Sequence, residues 1–466
     1  MNLKLVVASM SILGLVSCPV FATHSKHKHH KKVQTVAAVQ EYKGYKDMPV
    51  LQVCAISQSA MIMNGMTQAS GRNPDPCNIG WFNRIQFSGG VNVDIGKWGN
   101  RNANYQGVNY QRLSLNDAYL NLSANVSDWT KAFASLSYSN PTTNANPDVF
   151  NTRGAAEYSA AYSNNLNGSA ANLVQLEQAY ATIGNFDQSP IFFQVGKQFA
   201  DFSRYEIHPI TLSMTQVMSQ TLATAIKLGF IASGFNGSIY AFDDPINKIG
   251  NSAKPTNYGA SLGFDMPSDQ FGWDIGAGYL YNIIGANEIA YNVNNFTGNG
   301  YHSRIGGVAA YGDINAGPFV LGVRYTQAVQ RFNVNDLPRN GGADVNPNPP
   351  VNPNPNILNT GVGGGGQVVP NAGASGAKPW AAGIQAGYGY NAWDRTQNVY
   401  IGYQLSREAA GINLPRQRYL VGWGIDAWKN TSFGVEWDHE YAYSKSNGGS
   451  GNTTNLVSLR SSVKFG

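Results

Sequence analysis

Beyond residue 22 the chain has no long hydrophobic run. No stretch approaches the ~18 consecutive apolar residues a membrane-spanning helix needs, so helical spans are excluded. Charge is scarce as well. Asp, Glu, Lys and Arg make up 13% of the 466 residues, about half the quarter usual in soluble domains. The net charge is +5, or +4 without Lys4, too small a surplus to point to nucleic acid. Histidine is nearly confined to one place: four of the seven lie between residues 23 and 32, leaving His208, His302 and His439. Hydrolytic triads need a histidine beside a nucleophile and an orienting carboxylate. No nucleophile elbow accompanies these three, so neither catalysis nor a cofactor is expected. Heptads are absent.

The first 22 residues read as a cleaved leader. Lys4 precedes an apolar core, Leu5 to Val16, and Val20-Phe21-Ala22 gives a small-residue cleavage site before Thr23, the pattern of a secretory signal peptide. Leu15-Val16-Ser17-Cys18 is similar to a lipoprotein cleavage site. Pro19 argues against that alternative, and lipidation of Cys18 is left open. Residues 23–80 form a periplasmic segment in this reading. It opens with a tail carrying His24, His27, His29 and His30 among four lysines. Weak metal capture by these histidines is one reading, and a solvated basic tail without a core is the plainer one. Of three cysteines, Cys54 and Cys77 remain after the leader. A zinc site would need two further ligands nearby, and none is evident. Two cysteines in an exported chain imply one disulfide, with about 3 kcal/mol of loop-closure stabilisation.

What the remainder does have is glycine (52), tyrosine (25) and strict alternation. Ile85, Phe87, Val91, Val93 and Ile95 share one parity, against Gln86, Ser88, Asn92 and Asp94. Phe271, Trp273, Ile275, Ala277 and Tyr279 do the same, as do Tyr419, Val421, Trp423 and Ile425, then Phe433, Val435 and Trp437. Period two is the strand period. Low charge without apolar runs fits strands that spend half their residues on lipid. Sixteen strands are predicted, starting near residues 83, 111, 130, 174, 191, 224, 235, 257, 270, 304, 318, 379, 396, 416, 431 and 455. Soft boundaries leave 14 or 18 open. Connections alternate, short after even-numbered strands and long after odd-numbered ones.

The final stretch, LVSLRSSVKFG, puts Val457, Leu459, Val463 and Phe465 on one face and Ser458, Arg460, Ser462 and Lys464 on the other. It resembles the closing strand of bacterial outer-membrane barrels. The expected fold is therefore all-β, a transmembrane antiparallel β-barrel over residues 81–466 with short periplasmic turns and long outer loops. A plugged 22-stranded receptor is excluded on length: 466 − 22 leaves 444 residues, with about 58 before the first strand. The Pro/Gly-rich loop 331–378 reads as a mobile outer loop. Segment 201–223 is neither glycine-rich nor alternating, and two placements stay open: folded into the pore, or on the surface.

With the apolar parity on lipid, Arg84, Arg324, Arg418, Glu436, Asp438 and Arg460 face the lumen as candidate pore-lining residues. Arg418, Glu436 and Arg460 lie on three successive strands, where opposite charges pair across the ladder; Arg460 is expected beside Glu436. Ordinary lumen salt bridges and a polar track for a solute are both consistent with this. On the same basis Leu459→Arg is expected to impair assembly and Arg460→Ser to be tolerated.

Residues 174–220 carry a family resemblance. Leu176-Glu177-Gln178-Ala179-Tyr180, a turn ending at Pro190, Val195-Gly196-Lys197-Gln198-Phe199 and Thr215-Gln216 resemble the LbtU-type siderophore porins, outer-membrane siderophore receptors that work without TonB. Some relatives carry a periplasmic coiled coil; without heptads here, that element is not implied. The resemblance implies uptake of a ferric siderophore or similar hydrophilic solute without a plug domain. The alternatives are a general or nutrient-selective diffusion porin, and a surface adhesin or structural barrel. Expected partners are outer-membrane lipid, the barrel-assembly machinery and the small-molecule solute. Nucleic acid is not expected, and a homotrimer stays open.

Overall fold

The structure is a computed structural model that describes residues 85–465, apart from 99–109, 128, 140–172, 186–187, 205–209, 212, 252, 267–270, 298–299 and 340–374. The leader, the histidine tail, Cys54, Cys77, Arg84, His208 and most of the Pro/Gly-rich loop lie outside the described residues.

Alternation becomes a wall with two faces. In the last strand, Val457, Leu459 and Val463 are exposed, whereas Ser458, Arg460 and Ser462 are buried. The same division recurs around a closed sheet of sixteen antiparallel strands. These are β1 (Ile85–Trp98), β2 (Tyr110–Asn125), β3 (Thr130–Ser139), β4 (Leu173–Ile183), β5 (Ile191–Phe199), β6 (Leu222–Ala232), β7 (Phe235–Asp243) and β8 (Thr256–Met266). The second half comprises β9 (Phe271–Leu280), β10 (Gly307–Ala316), β11 (Phe319–Ala328), β12 (Trp380–Ala392), β13 (Arg395–Arg407), β14 (Gln417–Trp428), β15 (Thr431–Tyr441) and β16 (Thr453–Phe465). The expected count of sixteen holds. Each strand pairs with its sequence neighbours, and β16 pairs with β1 from Gly89–Phe465 to Trp98–Leu456. Closure leaves no unpaired sheet edge, a requirement inside hydrocarbon.

One end of the barrel turns tightly. Ser233-Gly234 and Trp393-Asp394 both adopt positive φ at the two central positions, the I′ geometry whose twist matches a β-hairpin. The other end carries the long loops, so it faces outward and the tight turns face the periplasm. On the inner face, tyrosines lie over glycines directly across the ladder: Tyr311 over Gly276 and Tyr400 over Gly422. A methyl added at either glycine would overlap the ring. This packing explains part of the glycine and tyrosine excess.

The all-β fold is as expected, and among the described residues the long loops add two α-helices, α1 (Met214–Ser219) and α2 (Asn287–Thr297). Ser213 caps α1 by accepting from Gln216 N–H. Met214 and Met218 of α1 pack with Ile289 and Val293 of α2, and with Phe332, Leu337 and Ile412 of neighbouring loops, in one buried apolar cluster. The wall opposite is built small, with Ala225, Ala309, Ala328 and Ala381. Each large side chain so buried contributes about 1.5–3 kcal/mol. The long loops therefore carry an apolar core of their own within the outer end of the barrel.

Candidate functional site

In the loop after β5, the described residues 200–204, 210–211 and 213–221 lie against the inner wall, the first of the two placements open for this segment. Its path is fixed by charge. Asp201 accepts from Lys227 Nζ (2.8 Å) and Ser238 Oγ (2.7 Å), inward-facing groups of β6 and β7. Arg204 pairs with Asp274 of β9 and stacks over the Tyr311 ring at 4.4 Å. Ile210 and Thr211 then meet the opposite wall. Glu436 accepts from Ile210 N–H (2.7 Å), Thr211 N–H (2.8 Å), Thr211 Oγ1 (2.9 Å) and Tyr400 Oη (2.9 Å). Asp438 lies 2.9 Å from the same threonine hydroxyl. With one proton to give, Thr211 serves one of these carboxylates at a time. Met214 N–H donates to Gln404 Oε1 of β13 (3.0 Å), and Arg460 Nη2 donates to the Ile210 carbonyl (3.3 Å). The loop is thus bolted across the lumen from β5 to β13, β15 and β16.

Its return limb is held by α2. Asn287 Oδ1 accepts from Leu222 N–H (2.7 Å), and Asn287 N–H donates to the Gln220 carbonyl (2.9 Å).

The candidate lumen residues take these places. Arg324 makes a bidentate pair with Asp313 (2.8 and 3.0 Å). Arg418 donates to Glu440 through Nε (2.8 Å) and Nη2 (2.6 Å). Arg460 is not beside Glu436. It makes a bidentate pair with Asp94 of β1 (2.8 and 2.7 Å). The reason is closure: Asp94 stands directly opposite Arg460 across the β1–β16 seam, whereas Ser458 stands opposite Glu436. Glu436 consequently has no arginine across the ladder and is occupied by loop backbone. Arg84 lies outside the described residues.

Of the remaining histidines, the two described ones, His302 and His439, make structural contacts. His302 Nδ1 lies 2.6 Å from Asp336 Oδ1, and Asp336 also accepts from the His302 and Ser303 amides, stapling two long loops together. His439 stacks on Trp437 on the outer face and meets Asn455 (2.8 Å). Sequence reading overlooked Thr211, Tyr400 and the Asp201–Lys227 pair. Lys227 offered a signal, being the one charge among the apolar and small residues of β6. Thr211 offered none, because its role depends on a contact 225 positions away.

No protein-family model matches the chain. It is 25% identical over 279 residues to a UPF0422 protein of Coxiella burnetii, covering 58% of this chain and 52% of that one. It is 25% identical over 294 residues to the UPF0422 protein lpp3030 of Legionella pneumophila, covering 60% and 48%. The chain spans about half the length of the curated relatives it matches. Among solved structures it is similar to Pseudomonas putida OprB, with a TM-score of 0.53 and 11% identity over 82% of this chain and 94% of that one. That likeness is one of fold alone, a porin-like closed antiparallel barrel.

Proposed function

We propose that the barrel takes up a hydrophilic solute through a lumen narrowed by loop 200–221, and that the solute is a ferric siderophore or similar chelate. The observation that carries the channel reading is the bolt itself. A loop anchored by Glu436, Asp438, Gln404 and Arg460 holds polar groups at fixed positions in the path, as a selective constriction requires. The chelate part rests on the resemblance at 174–220, which covers β4, β5 and most of this loop. Transport in this reading is passive, with contacts weak enough to release the solute.

Two measurements test the reading separately. In planar bilayers the purified protein is expected to form channels, and Glu436→Gln with Asp438→Asn is expected to raise their conductance. Charge-assisted hydrogen bonds contribute about 1.5–3 kcal/mol each, so weakening several frees the loop. Absence of any channel would sink the channel reading. Under iron limitation, cells lacking the protein should take up labelled ferric siderophore more slowly than wild type; equal uptake removes the chelate and leaves the channel.

A further inference from the structure

The outer face of β12–β15 carries two features that the channel reading does not use. The first is a pocket of about 360 Å³ at the outward rim, lined by Arg339, Trp380, Arg407, Arg416, Tyr443 and Asn447 among others. Its one carboxylate, Glu408, is already engaged: Arg331 Nη1 donates to it at 2.7 Å, Arg339 Nε lies at 3.2 Å, and Lys378 N–H donates at 2.8 Å. Arg407 and Arg416 are exposed and have no carboxylate partner among the described residues. Just below lie Tyr403, Tyr419 and Tyr441, packed ring to ring on the lipid side. Such a belt marks the membrane–water boundary, so the pocket sits at headgroup level.

The second feature is an apolar groove of about 550 Å³ lower on the same strands. Tyr388, Ile401, Trp423 and Trp437 form its walls, and Ala386 with the backbone at Gly387 and Gly422 its floor. The small floor residues make the dent; the bulky walls keep it narrow. From Arg407 to Ile401 is six residues along β13, or ~20 Å of strand. At a tilt of about 40° this is ~15 Å of depth, half of a ~30 Å hydrocarbon layer.

A cationic pocket at the rim and an apolar groove about one leaflet's depth beneath it suit the two parts of one amphipathic molecule. We propose that this face holds one phosphate-bearing lipid of the outer leaflet, its phosphate among Arg407, Arg416 and Arg339 and an acyl chain in the groove. Guanidinium forks match phosphate oxygens in pairs, and an extended acyl chain suits a narrow groove walled by Tyr388, Ile401, Trp423 and Trp437. The inference rests on the barrel's place in the outer membrane and is independent of what passes through the lumen.

Native mass spectrometry of the detergent-purified full chain tests it, with bisphosphorylated lipid A as the probe. The wild type should retain one lipid. Arg407→Gln with Arg416→Gln should weaken retention at least tenfold, as should Ala386→Trp, which fills the groove. Dephosphorylated lipid A should bind at least tenfold more weakly to the wild type. Arg407 and Arg416 are exposed and Ala386 is half-buried on the outer face, and an unaltered heat-modifiable gel shift confirms that each barrel has formed; if the double variant fails that check, the single arginine variants replace it. Equal retention by wild type and variants overturns the proposal. So does displacement by inorganic pyrophosphate at the concentration at which lipid A binds, which would make the rim a free-phosphate site. An oligomer that Ala386→Trp dissociates would instead make the groove a contact between copies and overturn it as well.

Discussion

Arg460 shows how one partner changes the meaning of a residue. Read along the chain it is a lumen charge that serine could replace. In the barrel it is half of a buried bidentate pair with Asp94, whose side chain is fully enclosed. Removing one member of such a pair strands the other charge and costs about 3–5 kcal/mol. A lipid-facing arginine in place of Leu459 costs about 2–4 kcal/mol near the bilayer middle. The two variants, expected from sequence to differ, should therefore be comparably damaging. Arg460→Ser should lower the temperature of the heat-modifiable gel shift about as much as Leu459→Arg. Adding Asp94→Asn to Arg460→Ser should recover most of the loss, because no charge is then left alone. An unaffected Arg460→Ser protein would show that the pair contributes nothing. The error in the sequence reading has a simple origin: Asp94 is 366 positions away, and only closure of the sheet brings it alongside.

At the scale of elements, strands and loops were unequally legible. Strand starts fall within about three residues of their expected positions, because lipid on one face and polar lumen on the other write period two into each strand. Helix α2 left a signal that was passed over: Ile289, Val293 and Phe296 recur at helical spacing within NEIAYNVNNFT. It is short, and it lies inside what reads as a loop. The inward course of loop 200–221 had no local signature, since the groups that draw it in sit on strands far off in sequence. One consequence of the buried loop core is open to test. Glu288 at the start of α2 is almost fully buried. Burial pushes its carboxyl from 4.5 up to about 7, against a smaller opposing effect of the Asn292 amide. The folded state thus favours the neutral acid. Its stabilisation is complete below the unfolded value near 4.5 and is lost as pH rises through about 7. A shift of this size corresponds to about 3 kcal/mol. Hydrogen exchange in residues 281–297 should quicken from pH 5 to pH 8 beyond the intrinsic rate change. Glu288→Gln should remove that excess; if the excess persists in the variant, another group carries it.

Across the whole molecule, five inner cations among the described residues each meet a carboxylate. Lys227 meets Asp201, Arg204 meets Asp274, Arg324 meets Asp313, Arg418 meets Glu440 and Arg460 meets Asp94. Paired charges only a few ångströms apart present weak fields to a passing ion, and the field that remains is screened within about 10 Å at ordinary salt. Glu436 and Asp438 accept from loop 200–221 and have no arginine directly opposite them on the neighbouring strands. A pore built this way discriminates by width and by hydrogen-bonding groups more than by the sign of charge. The reversal potential in a potassium chloride gradient should accordingly be small and lean towards the cation. Neutralising Glu436 and Asp438 together should move it towards zero, whereas the paired substitution of Asp313→Asn with Arg324→Gln should leave it unchanged. A large reversal potential of either sign in the wild type would mean that charges outside these pairs set the selectivity.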